Sequence, residues 1–250
     1  MDFAGFSANR GLFAAVLAVG AVGLSGCFDL EQKVAVRRDG SGTYSVQVAA
    51  EGLIARGIDK DHGHVSFNDE DDAAVRRVTH RDGKTIEISE RGFHDLSDLR
   101  LGDETVSLHV KGANADGTTE VNFHRVFRID HARHDHDEDD SGFKRDVVET
   151  MFDGHTYQFA VWLPGTIEHI AQVRAAGHVV HPTVWTDRTG HTVLWKMDMA
   201  DALLTDRLEF DVDFAAKGEF HDVQSQPGRH RHHRHHHHDD DDDDDDDSET

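Results

Sequence analysis

The sequence predicts an α+β fold, a mostly antiparallel β-sheet with a few short helices packed on one face. Three observations predict it. Apolar residues recur with a period of two far more often than with a helical period, glycine-bearing turns separate the alternating runs, and few segments carry helical spacing. No stretch repeats at a solenoid period, so one ordinary domain is expected between the chain's two unusual ends.

The first of those ends is residues 11–24, GLFAAVLAVGAVGL, an apolar run short for a membrane-spanning helix. It closes on Leu24-Ser25-Gly26-Cys27, small residues leading into the only cysteine of the chain. This resembles the bacterial lipobox. The resemblance implies that residues 1–26 are a signal peptide, that cleavage precedes Cys27, and that Cys27 carries the acyl chains of a membrane-anchored, extracytoplasmic lipoprotein. With two or more chains, at about 0.8 kcal/mol per buried methylene, such an anchor is effectively stable. No second thiol remains for a disulfide, a zinc-thiolate site or a cysteine nucleophile.

The strands follow. Val34 and Val36, then Tyr44, Val46 and Val48, flank Asp39-Gly40-Ser41-Gly42, a tight-turn sequence. Further alternation places strands around Ile86 and Ile88; Val106, Leu108 and Val110; Val121, Phe123, Phe127 and Ile129; Tyr157, Phe159, Val161 and Leu163; and Leu208, Phe210, Val212 and Phe214. Asn114-Ala115-Asp116-Gly117 and Asp187-Arg188-Thr189-Gly190 read as hairpin turns. Helical spacing is confined to Gly52–Asp59, Asp95–Leu101, Lys144–Phe152 and Asp198–Leu204. From residue 217 the chain turns polar, so 217–250 is expected to be a disordered His/Asp-rich tail outside a 27–216 domain.

The charge balance is acidic by 23, and the ten acids against three arginines of residues 229–250 make up less than half of it. A body this acidic lacks the basic stripe that phosphate recognition needs, so nucleic acid is excluded as a partner. No G-x-S-x-G, H-E-x-x-H, phosphate-loop or dinucleotide fingerprint occurs, and the expectation is a protein without enzymatic activity or required cofactor.

Histidine is abundant, at 22 residues, and concentrates beside aspartate. The loop holding His131, His134, His136 and Asp137, and the tail holding His230, His232, His233, His235, His236, His237 and His238, are the candidate metal ligands. Imidazole suits zinc and nickel, and a tract without fixed geometry binds them weakly. The alternative function is therefore envelope metal handling. Asp137-x-Asp139-x-Ser141-Gly142 matches half of a calcium-hand loop, but Val148 stands where the closing glutamate belongs. His178 and His181 could meet on a further ion.

Several short stretches carry a family resemblance. Cys27-Phe28-Asp29-Leu30, the run ending Arg38-Asp39-Gly40-Ser41-Gly42-Thr43, Phe159-Ala160-Val161-Trp162-Leu163-Pro164-Gly165-Thr166-Ile167, and Thr192-Val193-Leu194-Trp195 resemble the LppM-domain (DUF3153-type) bacterial lipoproteins. The resemblance implies a lipid-contacting module at the envelope that binds a lipid, a glycolipid or a protein partner. Many members carry a C-terminal membrane helix, and this chain has a polar tail instead. Trp162 and Trp195 are the candidate lining of an apolar ligand groove, their other reading being core or rim.

Overall fold

A computed structural model describes residues 28–52, 55, 58, 75–99, 101, 104–128 and 141–226, with the side chains of 141–144 excepted. Alternating burial along each strand builds two large sheets. The first has the order β11-β12-β7-β1-β2-β4-β3. It comprises β1 (Phe28–Val36), β2 (Gly42–Ala50), β3 (Val75–Arg81), β4 (Lys84–Phe93), β7 (Thr156–Pro164), β11 (Thr183–Thr186) and β12 (Gly190–Asp198). The second, ordered β14-β5-β6-β13-β8, comprises β5 (Glu104–Ala113), β6 (Thr119–Arg128), β8 (Thr166–Ile170), β13 (Arg207–Ala216) and β14 (Val223–Gln224). A small hairpin, β9 (Val173–Ala175) with β10 (His178–Val180), forms a separate two-stranded sheet whose Val173, Ala175 and Val180 join the core. Pairing in the large sheets is antiparallel except between β1 and β7.

This corrects the expected α+β class: the described molecule is all-β. One of the predicted helices forms over eleven residues, and two others only as short pieces. Lys144–Phe152 falls largely within α1 (Ser141–Met151), Asp198–Leu204 becomes the five-residue α2 (Met199–Leu203), and Asp95–Leu101 yields one 3-10 turn, Leu96–Asp98. Gly52, Ala55 and Ile58 are helical in the first candidate. The face that was expected to lie under helices is covered by the second sheet, whose inward Phe123, Phe210 and Phe214 are fully buried. Phe159 of β7 stacks on Phe123 of β6 with ring centroids 6.3 Å apart, and meets Phe210 of β13 at 4.6 Å. Each such side chain contributes roughly 1.5–3 kcal/mol by leaving water, more than a few helical turns could add.

The predicted turns form as read. In the β1–β2 turn Asp39 accepts hydrogen bonds from both Ser41 N and Ser41 Oγ, at 3.1 and 2.7 Å. Gly42 is required there, because a Cβ would lie 2.0 Å from the Ala35 carbonyl oxygen and 2.3 Å from the Phe93 ring. A turn outside the predicted set, Asp82-Gly83, joins β3 to β4 with both residues left-handed, at φ 52° and 81°.

The domain also runs past residue 216. β14 pairs with β5, Ser225 N donates to Val106 O at 2.8 Å, and Val106 N donates to Ser225 Oγ at 2.9 Å. Residues 217–226 thus belong to the fold rather than to the polar tail. Hydrogen bonds and two isolated apolar contacts, Phe220 against Phe214 and Val223 against the core, hold this segment, and neither makes an alternating pattern.

Candidate functional site

Two features stand out once the sheets are built, one between them and one outside them. Between them lies a closed polar cluster drawn from five strands. Arg125 of β6 is 0% exposed and its Nη2 donates to Glu104 Oε2 of β5 at 2.8 Å and to Gln32 Oε1 of β1. Its Nη1 donates to the Tyr157 hydroxyl of β7 at 2.8 Å, and that hydroxyl donates to Gln32 Oε1 at 2.7 Å. Gln32 Nε2 donates to Glu104 Oε1 at 2.8 Å, and the Tyr44 hydroxyl of β2 donates to Glu104 Oε2 at 3.2 Å. The guanidinium also sits 4.1 Å from the Phe159 ring centroid, with Phe127 and Phe210 at 5.5 Å.

The electrostatics of this cluster are those of a buried, hydrogen-bonded ion pair, although the buried Arg125 Nε has no hydrogen-bond partner among the described residues. Burial alone would lower the Arg125 pKa, but Glu104 and the two phenols outweigh it and the net direction is upward. Burial pushes Tyr157 up to about 12, with Arg125 opposing, and burial together with Glu104 raises Tyr44 as well. No member reaches solvent by more than a small edge of Glu104. The arrangement orients two sheets. It offers no accessible group for chemistry.

The second feature is the outer face of the first sheet. Register places Trp185, Thr192, Trp162, Ala35, Thr43 and Gly92 side by side across β11, β12, β7, β1, β2 and β4. None of the six is charged. Trp185 is 50% exposed on the edge strand β11, and Trp162 is half-buried.

Trp162 is held by the β11–β12 turn. Asp187 Oδ1 accepts from Thr189 N, Thr189 Oγ1 and Gly190 N at 2.6, 2.8 and 2.9 Å, while its Oδ2 accepts from Trp162 Nε1 at 3.0 Å. The Thr189 hydrogen bonds, with those from Trp162 and Gly190, hold the Asp187 carboxyl well below the usual range. Gly190 leaves room for the ring: a Cβ there would stand 2.9 Å from Trp162 Cζ2 and 2.3 Å from the Leu163 carbonyl oxygen. One indole is thereby fixed, and a second lies two strands away.

The predicted pair, Trp162 with Trp195, is not brought together. Trp195 pairs in register with inward-facing Phe159, whereas Trp162 pairs with outward-facing Thr192. Period two puts them on opposite faces of one sheet. Trp195 is 0% exposed, stacked on Phe159 at 5.7 Å and edge-on to Phe210 at 5.1 Å. The partner of Trp162 on the outer surface is instead Trp185, which sequence reasoning passed over. The signal was present in Thr183-Val184-Trp185-Thr186, where an aromatic alternates with hydroxyl residues.

Of the other candidates, Cys27, His131, His134, His136, Asp137 and the tail histidines His230, His232, His233, His235, His236, His237 and His238 lie outside the described residues. His178 Nδ1 lies 3.0 Å from Asp201 Oδ2. Among the described residues no group of three or more His, Asp or Glu side chains is gathered as a metal site. Likewise no described helix is long and apolar enough to cross a membrane.

Comparison with solved structures finds likenesses of fold. The folded domain of Mycobacterium tuberculosis LppM, solved by NMR, overlays with a TM-score of 0.39 at 11% identity, over 77% of this chain and 94% of that one. No family model and no curated protein sequence matches the chain. An overlay at that level assigns no family.

Proposed function

We propose that this protein is an envelope lipoprotein, anchored outside the cytoplasm through acylated Cys27, whose β-domain is a non-catalytic binding module for an envelope lipid, a glycolipid or a partner protein. The observation that carries this reading is the junction between anchor and fold. Phe28, the residue after the lipobox cysteine, is already buried and opens β1. Its ring packs edge-on against Phe152 at 5.8 Å, and Asp29 beside it accepts from Thr156 N at 2.9 Å and from Lys84 Nζ at 3.1 Å. A domain that starts one residue past its tether has no spacer to carry it away from the bilayer. Such placement suits a module that meets ligands of the envelope itself.

The test is fractionation. With Cys27→Ser the acylated thiol is gone, and the protein should appear unprocessed or leave the membrane fraction. Processing and membrane recovery equal to the parent protein would overturn the anchor.

A further inference from the structure

We propose that the outer row carrying Trp162 and Trp185 binds an uncharged, β-linked polysaccharide chain, a reading that rests on the extracytoplasmic placement above. Trp185 and Trp162 are cross-strand neighbours of the same Thr192, so their Cα atoms stand two strand spacings apart, about 9.6 Å. That distance is comparable to the disaccharide repeat of an extended β-linked hexose chain, in which every second sugar presents the same face. The apolar C–H face of a hexose covers an indole well, and its hydroxyl rim needs neutral partners. Thr192 lies between the two rings, and Thr183 and Thr43 lie on the same face.

Charge and position decide against the other occupants. The row is uncharged from β11 to β4, in a chain acidic by 23, which disfavours a polyanion and equally the anionic surface of a bilayer. It is also remote from the tether. Trp162 pairs with Ala35, seven residues along β1 from Phe28, which places it about 23 Å from the anchored end. Asp29, Glu31 and Lys33 occupy the same face between the anchor and the row, so pressing that face onto lipid would bury three charged side chains. The end of the sheet that points away from the membrane is where a cell-wall glycan would be met. One of its two rings is preset, because Asp187 holds the Trp162 indole and Gly190 seats it.

The experiment uses the full chain purified in a non-sugar detergent, with cellohexaose and chitohexaose as probes and tryptophan fluorescence and calorimetry as readouts. Saturable binding of at least one probe is expected. Trp185→Ala should weaken it by roughly tenfold or more, and Trp162→Phe, which loses the Asp187 hydrogen bond, by less. Val75→Ala, an exposed apolar residue on the far edge strand, should leave affinity unchanged. Unchanged melting temperatures for these variants separate lost contact from lost fold. The proposal is overturned if neither oligosaccharide binds, if Trp185→Ala binds as the parent does, or if Trp185 fluorescence shifts with phospholipid vesicles and not with glycan. A dimer abolished by Trp185→Ala would overturn it in favour of edge-to-edge pairing of two copies. Glycan binding by a Cys27→Ser protein that is still processed and recovered with membranes as the parent is would sink the anchor reading alone.

Discussion

Trp195 and Trp162 lie in adjacent strands of the same sheet, and the protein treats them in opposite ways. Trp195 is wholly buried between Phe159 and Phe210, and its buried Nε1 has no hydrogen-bond partner among the described residues. Trp162 keeps its hydrogen bond, to Asp187, and lies on the face away from the core. Inside, the area removed from water outweighs an unmade indole hydrogen bond of about 1–3 kcal/mol. Outside, the ring is oriented and left partly in solvent. Orientation without burial adds little stability, so the outer tryptophans should matter for binding and the inner one for folding.

That contrast has a direct test in paired truncations. Trp195→Ala should cost about 3–5 kcal/mol in urea denaturation, and Trp185→Ala should stay within about 0.5 kcal/mol of the parent. Equal losses at the two sites would erase the distinction between the faces. The Arg125 cluster sharpens it further, since it is the polar counterpart of the same interior. Arg125→Leu leaves Glu104 buried without its cation and should cost about 3–5 kcal/mol, while adding Glu104→Leu should recover a good part of that loss. If the double variant is no more stable than the single, the two side chains are not coupled.

A smaller effect is expected at the end of the described chain. Deleting residues 227–250 should leave the melting temperature of the metal-free protein unchanged, whereas deleting 217–250 removes β14 and the paired Ser225–Val106 hydrogen bonds. The longer deletion should lower stability by about 1–3 kcal/mol. Equal melting temperatures for the two deletions would show that β14 adds nothing.

The smallest effect concerns pH. The folded Asp187 pKa lies below its ordinary value of 3.8, so its stabilising hydrogen bonds are complete above that value and are lost as pH falls from there toward the folded pKa. The Trp162 indole N–H resonance in NMR should therefore hold its position through about pH 4 and move only at lower pH. A midpoint at the ordinary carboxylate value would mean that the bond to Asp187 is not made in solution.

Much of the architecture was legible in the sequence because it is written locally. Period two found the inward faces of β1, β2, β5, β6, β7 and β13, and the Asp39, Asn114 and Asp187 turns were readable from side chains that bond their own backbone. Arg125 illustrates where local reading stops. It occupies the one inward position that the apolar series Val121, Phe123, Phe127 skips, and alternation alone does not say why. Its hydrogen-bond partners lie on three other strands, at sequence separations up to 93 residues.

The sequence by itself determined most of the long strands, the turns between them and the acidic body, since each depends on neighbouring residues or on composition. Only the tertiary structure decided which layer covers the sheet, because burial of one apolar face is satisfied equally by helices or by a second sheet until the strands are paired. It also decided which tryptophans share a face. Trp162 and Trp195 look alike as aromatic residues in apolar strands, yet register sends one inward and one outward, and brings Trp185 beside the outer one across a strand that neither belongs to. Cross-strand neighbours are fixed by hydrogen-bonded register between distant segments, and that information exists only once the chain has folded.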